Sequence, residues 1–169
     1  MTYNTQHTIP KVGVRTPPIT VESTVDIPTS TSAVFGYLAN LENNPLWNWA
    51  VTETRALDGA PRRGSRYMQT HSSPARSEEI LHIAAYRENE LLEIISNVDG
   101  DSVLYRYHLS PISDFSTRLR LEVEMSPPGR GGRPDLFAER LVSVLAMNLE
   151  SLRSAVVGRQ ESSVRSGAA

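Results

Sequence analysis

Cysteine is absent from all 169 residues, which removes disulfides, thiolate nucleophiles and thiolate metal sites in one stroke. No run of 18 or more apolar residues is present, so no membrane span is expected. Met1 to Lys11 is polar, without a charged stretch leading into an apolar one, so no signal peptide is expected either and a cytoplasmic location is. Positive charge is also short. The net charge is -2 with a pI near 6.1, whereas a nucleic-acid binder needs a positive field to displace counterions from phosphates. Lysine occurs once, at Lys11, and every other basic residue is arginine; that skew suggests a GC-rich genome, such as an actinobacterial one, and carries no mechanism.

Site motifs are missing too. The four histidines stand apart, with neither His-x-x-x-His nor His-Glu-x-x-His, so no metal is expected. Neither a Gly-x-Ser-x-Gly elbow nor a phosphate-binding glycine loop occurs, and no cofactor is expected. The single Arg-Gly-Gly inside "GRGGR" reads as a flexible connection, placed to act as a mobile loop beside a binding site, rather than as an RNA-binding tract.

What remains is a chain of 39% hydrophobic residues, enough for one domain with a sizeable core. Pro10, Pro17 and Pro18 without a sustained period mark residues 1–18 as a flexible segment, and the small polar run "GRQESSVRSGAA" marks 158–169 as a disordered tail, leaving a domain over 19–157. "ITVESTVDIP" alternates, with Ile19, Val21, Val25 and Ile27 on one face and Ser23 as the polar exception, and Pro28 ends the strand. "TSTS" offers helix caps, and Val34, Tyr37, Leu38 and Leu41 follow at helical spacing, so a short helix runs to about Asn40 before Asn43-Asn44-Pro45 stops it. From there to Met125 the turn signals at Asp58-Gly59, Ser72 to Pro74, Glu88-Asn89, Asp99-Gly100 and Ser113-Asp114 separate six further strands. In "TRLRLEVEM" Thr117, Leu119, Leu121, Val123 and Met125 face in, matched by Val103, Tyr105, Tyr107 and Leu109 of "VLYRYHL". Pro134 and Asp135 then suit the first turn of a long helix, with Phe137, Leu141, Val144, Leu145, Leu152 and Val156 as its stripe and Gly158 as its stop after Val157. The whole is an α+β domain: a curved antiparallel sheet of seven strands wrapped around a long C-terminal helix, with a short helix after the first strand and a cavity where side chains do not fill the curve.

This order of elements resembles the START-like, or helix-grip, superfamily, which includes polyketide cyclases and dehydratases, lipid-transfer domains and plant pathogenesis-related ligand binders. The residues that carry the likeness are "VESTVDIPTSTSAVFGYLANLENNPLWN", with its strand, proline, helix and Pro-x-Trp; "GSRY" after a hairpin turn; "YHLSPISDFSTRLRLEVEM"; and the closing "LVSVLAMNLESLRSAV". The resemblance implies a hydrophobic small-molecule ligand in an internal cavity, handled by a cofactor-independent cyclase or dehydratase of secondary metabolism, or else by a non-catalytic carrier or sensor. It fits a monomer or a homodimer.

The candidate site residues follow from polar or aromatic side chains on faces that should be buried, since an unpartnered buried polar group is costly. Trp47 either plugs the core at the crossover from helix to strand or lines the cavity mouth, as the Pro-x-Trp position of the family implies. Trp49 has no such warrant. Asn148 sits within the apolar stripe of the last helix, and Tyr105 and Tyr107 face the same interior. Pairing the hairpin through Ser72 to Ala75 symmetrically brings Gln69 beside Glu78, Tyr67 beside Ile80 and Ser65 beside His82. Tyr67, Glu78 and His82 on one face would then be acid/base equipment. The opposite choice of face buries Leu81 and Ile83 and leaves His82 outside.

Overall fold

The computed structural model describes residues 17–72, 75–98, 101–126 and 133–166. The chain runs β1 (Ile19–Ile27), α1 (Thr31–Ala39), a 3-10 turn (Leu41–Leu46), β2 (Val51–Ala56), β3 (Arg66–His71), β4 (Ser77–Arg87), β5 (Leu91–Val98), β6 (Asp101–Ser113), β7 (Ser116–Met125) and α2 (Pro134–Ser166). All seven strands form one antiparallel sheet in the order β1-β7-β6-β5-β4-β3-β2. The first two strands therefore lie at opposite edges, and α1 with the 3-10 turn carries the chain between them.

Local chemistry sets this crossing. Ser30 caps α1, its hydroxyl accepting from the Ala33 N–H at 3.4 Å. At the other end the Asn43 side-chain amide donates to the Tyr37 carbonyl at 2.8 Å, satisfying one of the carbonyls that a helix end leaves bare. Pro45 lacks an N–H and sits inside the 3-10 turn, whose last N–H, that of Trp47, reaches the Asn44 carbonyl at 3.2 Å. Thr117 of β7 donates to the Thr29 carbonyl at 2.8 Å and so pins the start of α1 to the sheet.

One face of the sheet is apolar. Leu92, Ile94, Leu119, Leu121 and Val123 pack against Leu145, Leu149, Leu152 and Val156 of α2, with Val34, Phe35 and Leu38 of α1 closing one end. A bulge between Ile83 and Ala85 shifts the alternation of β4 and turns Tyr86 inward, where its ring meets Phe35 edge-on at 5.1 Å. The outer face carries ion pairs instead, with Arg106 between Glu93 and Glu122 and Arg118 on Asp26.

By length and composition α2 passes for a membrane span over Pro134–Gln160. Its Leu149 and Leu152 are nevertheless shut inside the core, and Glu139, Arg140, Glu150 and Arg153 lie on its exposed side, the pattern of an amphipathic helix that turns one stripe to the core.

Two features of this helix differ from the sequence expectation. Leu149, absent from the expected stripe, is among its most buried residues at 1% exposure. The helix also continues through Gly158 to Ser166 instead of stopping after Val157, because no proline interrupts it and the turn just past Gly158 is tied down. Arg159 lies over the Tyr37 ring at 5.8 Å and Gln160 accepts from the Thr29 hydroxyl at 2.5 Å. Of the expected turns, Ser73-Pro74 and Asp99-Gly100 lie outside the described residues, as does the "GRGGR" connection, residues 129–133, except Arg133.

Because Leu145 is buried against the sheet, Leu145→Asp places an unpaired charge in the core at a cost of several kcal/mol. Circular dichroism and thermal melting should find this variant unfolded; a wild-type melting temperature would contradict the seating of α2.

Candidate ligand-binding site

The grip is unevenly filled. Towards α1 it is solid, with Leu119, Leu121, Leu149 and Leu152 at 2% exposure or less, so the expected cavity is not at this end. Towards the tips of the β3–β4 and β5–β6 hairpins the walls loosen. Val103, Tyr105, Ala138 and Leu141 pack on the core yet keep accessible surface.

A polar cluster sits on the inner face at this looser end. Its centre is Glu79 of β4, only 7% exposed, a carboxylate that an apolar interior tolerates only when it is paired and hydrogen-bonded. Three partners come from the two neighbouring strands. His71 Nε2 lies 2.5 Å from Glu79 Oε1, the Gln69 amide donates to the same oxygen at 2.7 Å, and the Ser96 hydroxyl of β5 donates to Oε2. Gln69 is itself held, its Oε1 accepting from Asn44 Nδ2 at 2.8 Å and from the Thr54 hydroxyl at 3.1 Å.

Burial pushes the Glu79 pKa up, but the bonds from His71 and Ser96, the nearby His71 charge and the Gln69 amide outweigh it and hold the carboxyl below its ordinary value. An ionised oxygen at 2.5 Å calls for a donor, so His71 Nε2 carries a hydrogen, and in the neutral ring the lone pair then sits on Nδ1. Nδ1 has no partner among the described residues. The imidazole side chain is 22% exposed against 7% for its carboxylate, and it borders a pocket of about 380 Å³ lined also by Thr52, Glu53, Thr70, Ser72 and Arg76. A buried carboxylate thus orients an imidazole whose other nitrogen is available to a ligand.

Tyr105 stands on the neighbouring wall. Burial drives its phenol well above the usual range, and the Glu79 charge adds to the push, although the side chain retains accessible surface. Its hydroxyl is a neutral donor that feels the Glu79 charge. Tyr107 is raised by burial in the same way, with Tyr105 beside it.

The sequence-derived candidates divide by face. Tyr67 and Gln69 point inward and are buried, as are Trp47, Tyr107 and Asn148, while Tyr105 points inward and is half-buried. Glu78 is exposed and His82 half-exposed on the opposite face. The symmetric hairpin pairing is off by one residue: Gln69 lies opposite Glu79, Tyr67 opposite Leu81 and Arg66 opposite His82. Such a slip sends every side chain of a strand to the other face. The expected grouping of Tyr67, Glu78 and His82 is therefore not formed; Glu79 and His71 bring a carboxylate and an imidazole to the inner face in their stead. The signal was in "EILHI", since seating Leu81 and Ile83 inside carries Glu79 in with them. Ser96 and Asn44 had no comparable signal. Trp49 is 57% exposed and stands apart from the site. Among the described residues no three His, Asp or Glu side chains are grouped to hold a metal.

With fold and site in view, comparison with known proteins gives the class. The chain belongs to the polyketide cyclase / dehydrase and lipid transport family, whose sequence profile matches residues 18–157, within the START-like, helix-grip superfamily. It is similar in structure to a START superfamily protein from Mycobacterium smegmatis, with 18% identity and a TM-score of 0.69 over 82% of this chain and 97% of that one. It is also similar to the Zhui aromatase/cyclase from Streptomyces sp. R1128, with 15% identity and a TM-score of 0.67 over 89% and 98%. Ara h 8.0201 shares the fold at 13% identity and a TM-score of 0.65 over 83% and 99%. No curated protein matches the chain in sequence. Family and fold together support a hydrophobic-ligand-binding domain.

Glu79 is held below the ordinary carboxylate value of 4.5, so it contributes stability that is present above that pH and is lost as pH falls through its lowered folded value. Glu79→Gln should cost about 1–3 kcal/mol at neutral pH, and the gap from wild type should close in acid. Thermal melts across pH check this, and a gap constant with pH would contradict the ionised pair.

Proposed function

We propose that the protein binds a hydrophobic small molecule between α2 and the inner face of the sheet and acts on it as a polyketide-type cyclase or dehydratase of secondary metabolism, without a cofactor. The observation that carries this reading is the His71–Glu79 pair on the inner face, held by Gln69 and Ser96, with His71 also bordering a depression at the β2–β3 edge. Beyond tying the strands together, the buried carboxylate orients an imidazole, and such arrangements cluster at sites of chemistry.

In this reading His71 Nδ1 takes a proton from a carbon flanked by carbonyls, the resulting enolate attacks a second carbonyl of the same chain to form a carbon–carbon bond, and the new alkoxide takes the proton back from His71. Loss of the hydroxyl as water, with a further proton passing through His71, completes a dehydration. The Glu79 charge stabilises the imidazolium in between, and the Tyr105 hydroxyl, too high in pKa to ionise, donates to developing negative charge on the oxygen. Tyr67, Trp47 and Tyr107 shape the wall that folds the flexible substrate, an entropic contribution. Glu78 and His82, on the far face, take no part. The described structure favours no particular oligomer, and a monomer or homodimer serves this mechanism equally.

The test uses a thioester with ketones at carbons 3 and 7, whose C2 can attack the C7 carbonyl to close a six-membered ring, and a neutral apolar fluorescent probe for binding. His71→Ala should lower kcat by about a hundredfold or more while KM and probe affinity stay within about threefold. Probe binding by the wild type, with turnover no faster than in the His71→Ala protein, would instead identify a carrier or sensor of a hydrophobic metabolite.

A further inference from the structure

Three buried side-chain atoms among the described residues have no hydrogen-bond partner: Asn44 Oδ1, Trp47 Nε1 and Asn148 Oδ1. Their residues are 7%, 6% and 6% exposed. Two belong to the 3-10 turn and its cap, and the third to α2, which is bonded to the same segment. The N–H groups of Trp47 and Asn48 both reach the Asn44 carbonyl, at 3.2 and 2.8 Å, which makes 44–48 a compact unit. Asn148 Nδ2 donates to Asn48 Oδ1 at 3.4 Å and docks that unit on α2, while the Asn44 amide donates to Gln69 of the polar cluster. The three residues thus belong to one assembly of the 3-10 turn with α2, and Asn44 links it to the polar cluster through Gln69. Buried polar atoms are retained without partners where something outside the chain completes them.

The kind of atom left over selects the kind of ligand. Two are carbonyl oxygens that accept and one is an indole N–H that donates. A hydroxyl does both, donating to an asparagine oxygen and accepting from Trp47. A carboxylate brings acceptors only, and would face two carbonyl oxygens with the Glu79 anion near by. A protonated amine brings donors only and leaves Trp47 unmet. We infer that this wall recognises a neutral, hydroxyl-bearing end of an apolar ligand, and that Asn44, Trp47 and Asn148 are its specificity-determining residues. The inference rests on the ligand-binding reading above and narrows it: the substrate class is a neutral hydroxylated hydrophobe rather than a fatty acid or a cationic amphiphile.

The chain has two tryptophans and Trp49 is exposed, so Trp49→Phe leaves Trp47 as the sole indole reporter. This protein is titrated with decanol, decanoate and decylamine, which share a chain and differ at the head, while N-phenylnaphthylamine reports general apolar binding. Decanol should shift Trp47 emission and bind about tenfold or more tighter than either charged analogue. Asn148→Leu in the same background should weaken decanol about tenfold with little change in probe affinity and only the small drop in melting temperature that loss of its 3.4 Å bond to Asn48 brings. Equal or tighter binding of decanoate or decylamine overturns the inference. So does an Asn148→Leu protein that melts much earlier but binds decanol as before, which would make the amide structural and its oxygen a water site. Probe binding with no decanol response at Trp47 also overturns it and leaves the apolar binding site standing, whereas loss of probe and decanol binding together would count against the proposed function as well.

Discussion

The way the Glu79 carboxylate is held governs the inner face. A charge only 7% exposed in an apolar grip is tolerable only with several donors around it, and β3 and β5 each extend polar side chains to meet it. Gln69 and His71 come from one neighbour and Ser96 from the other, so the three strands are tied in a register that leaves few alternatives. Through Gln69 the same demand reaches Asn44 and Thr54, and thus fixes the 3-10 turn and the edge strand. The carboxylate is a structural keystone for the very residues that surround the ligand site.

Filling and function are complementary along the grip. The end under α1 is closed by leucines with almost no accessible surface, and it bears the stability. At the other end Val103, Tyr105, Ala138 and Leu141 leave apolar surface only partly covered, and the polar cluster lies beside them. A ligand there gains burial against partly covered apolar walls and meets hydrogen-bonding groups that are already oriented, so little ordering accompanies binding.

Most of the fold was legible because its elements have clear periods. The alternation in "TRLRLEVEM" reports β7 with its inward leucines, and the helical spacing around Leu145 and Leu152 reports α2. The site was legible by face on one side only. Tyr105, Tyr107 and Asn148 were placed inward from neighbours with strong patterns, whereas "RYMQTH" and "SEEILHI" mix polar and apolar residues on both faces, and a hairpin loop of uncertain length fixes the register of neither. A symmetric turn then selected Glu78 and His82 over Glu79 and His71. The contact of Asn44 with Gln69 spans 25 residues, and no local pattern announces a tertiary hydrogen bond of that kind. The extension of α2 past Gly158 was hidden for a similar reason, since Arg159 and Gln160 are secured by contacts with α1 and its lead-in that lie far off in sequence.

The central claim is that a buried carboxylate orients His71 towards the ligand site, and long-range proton–nitrogen NMR of the imidazole reads this directly. A held pair gives His71 as the Nε2–H tautomer, with a ring N–H proton protected from exchange that disappears in Glu79→Gln, and with an Nδ1 resonance that moves when a hydrophobic ligand is added. A His71 ring that averages between tautomers in the wild type, unchanged by Glu79→Gln and indifferent to ligand, would contradict it.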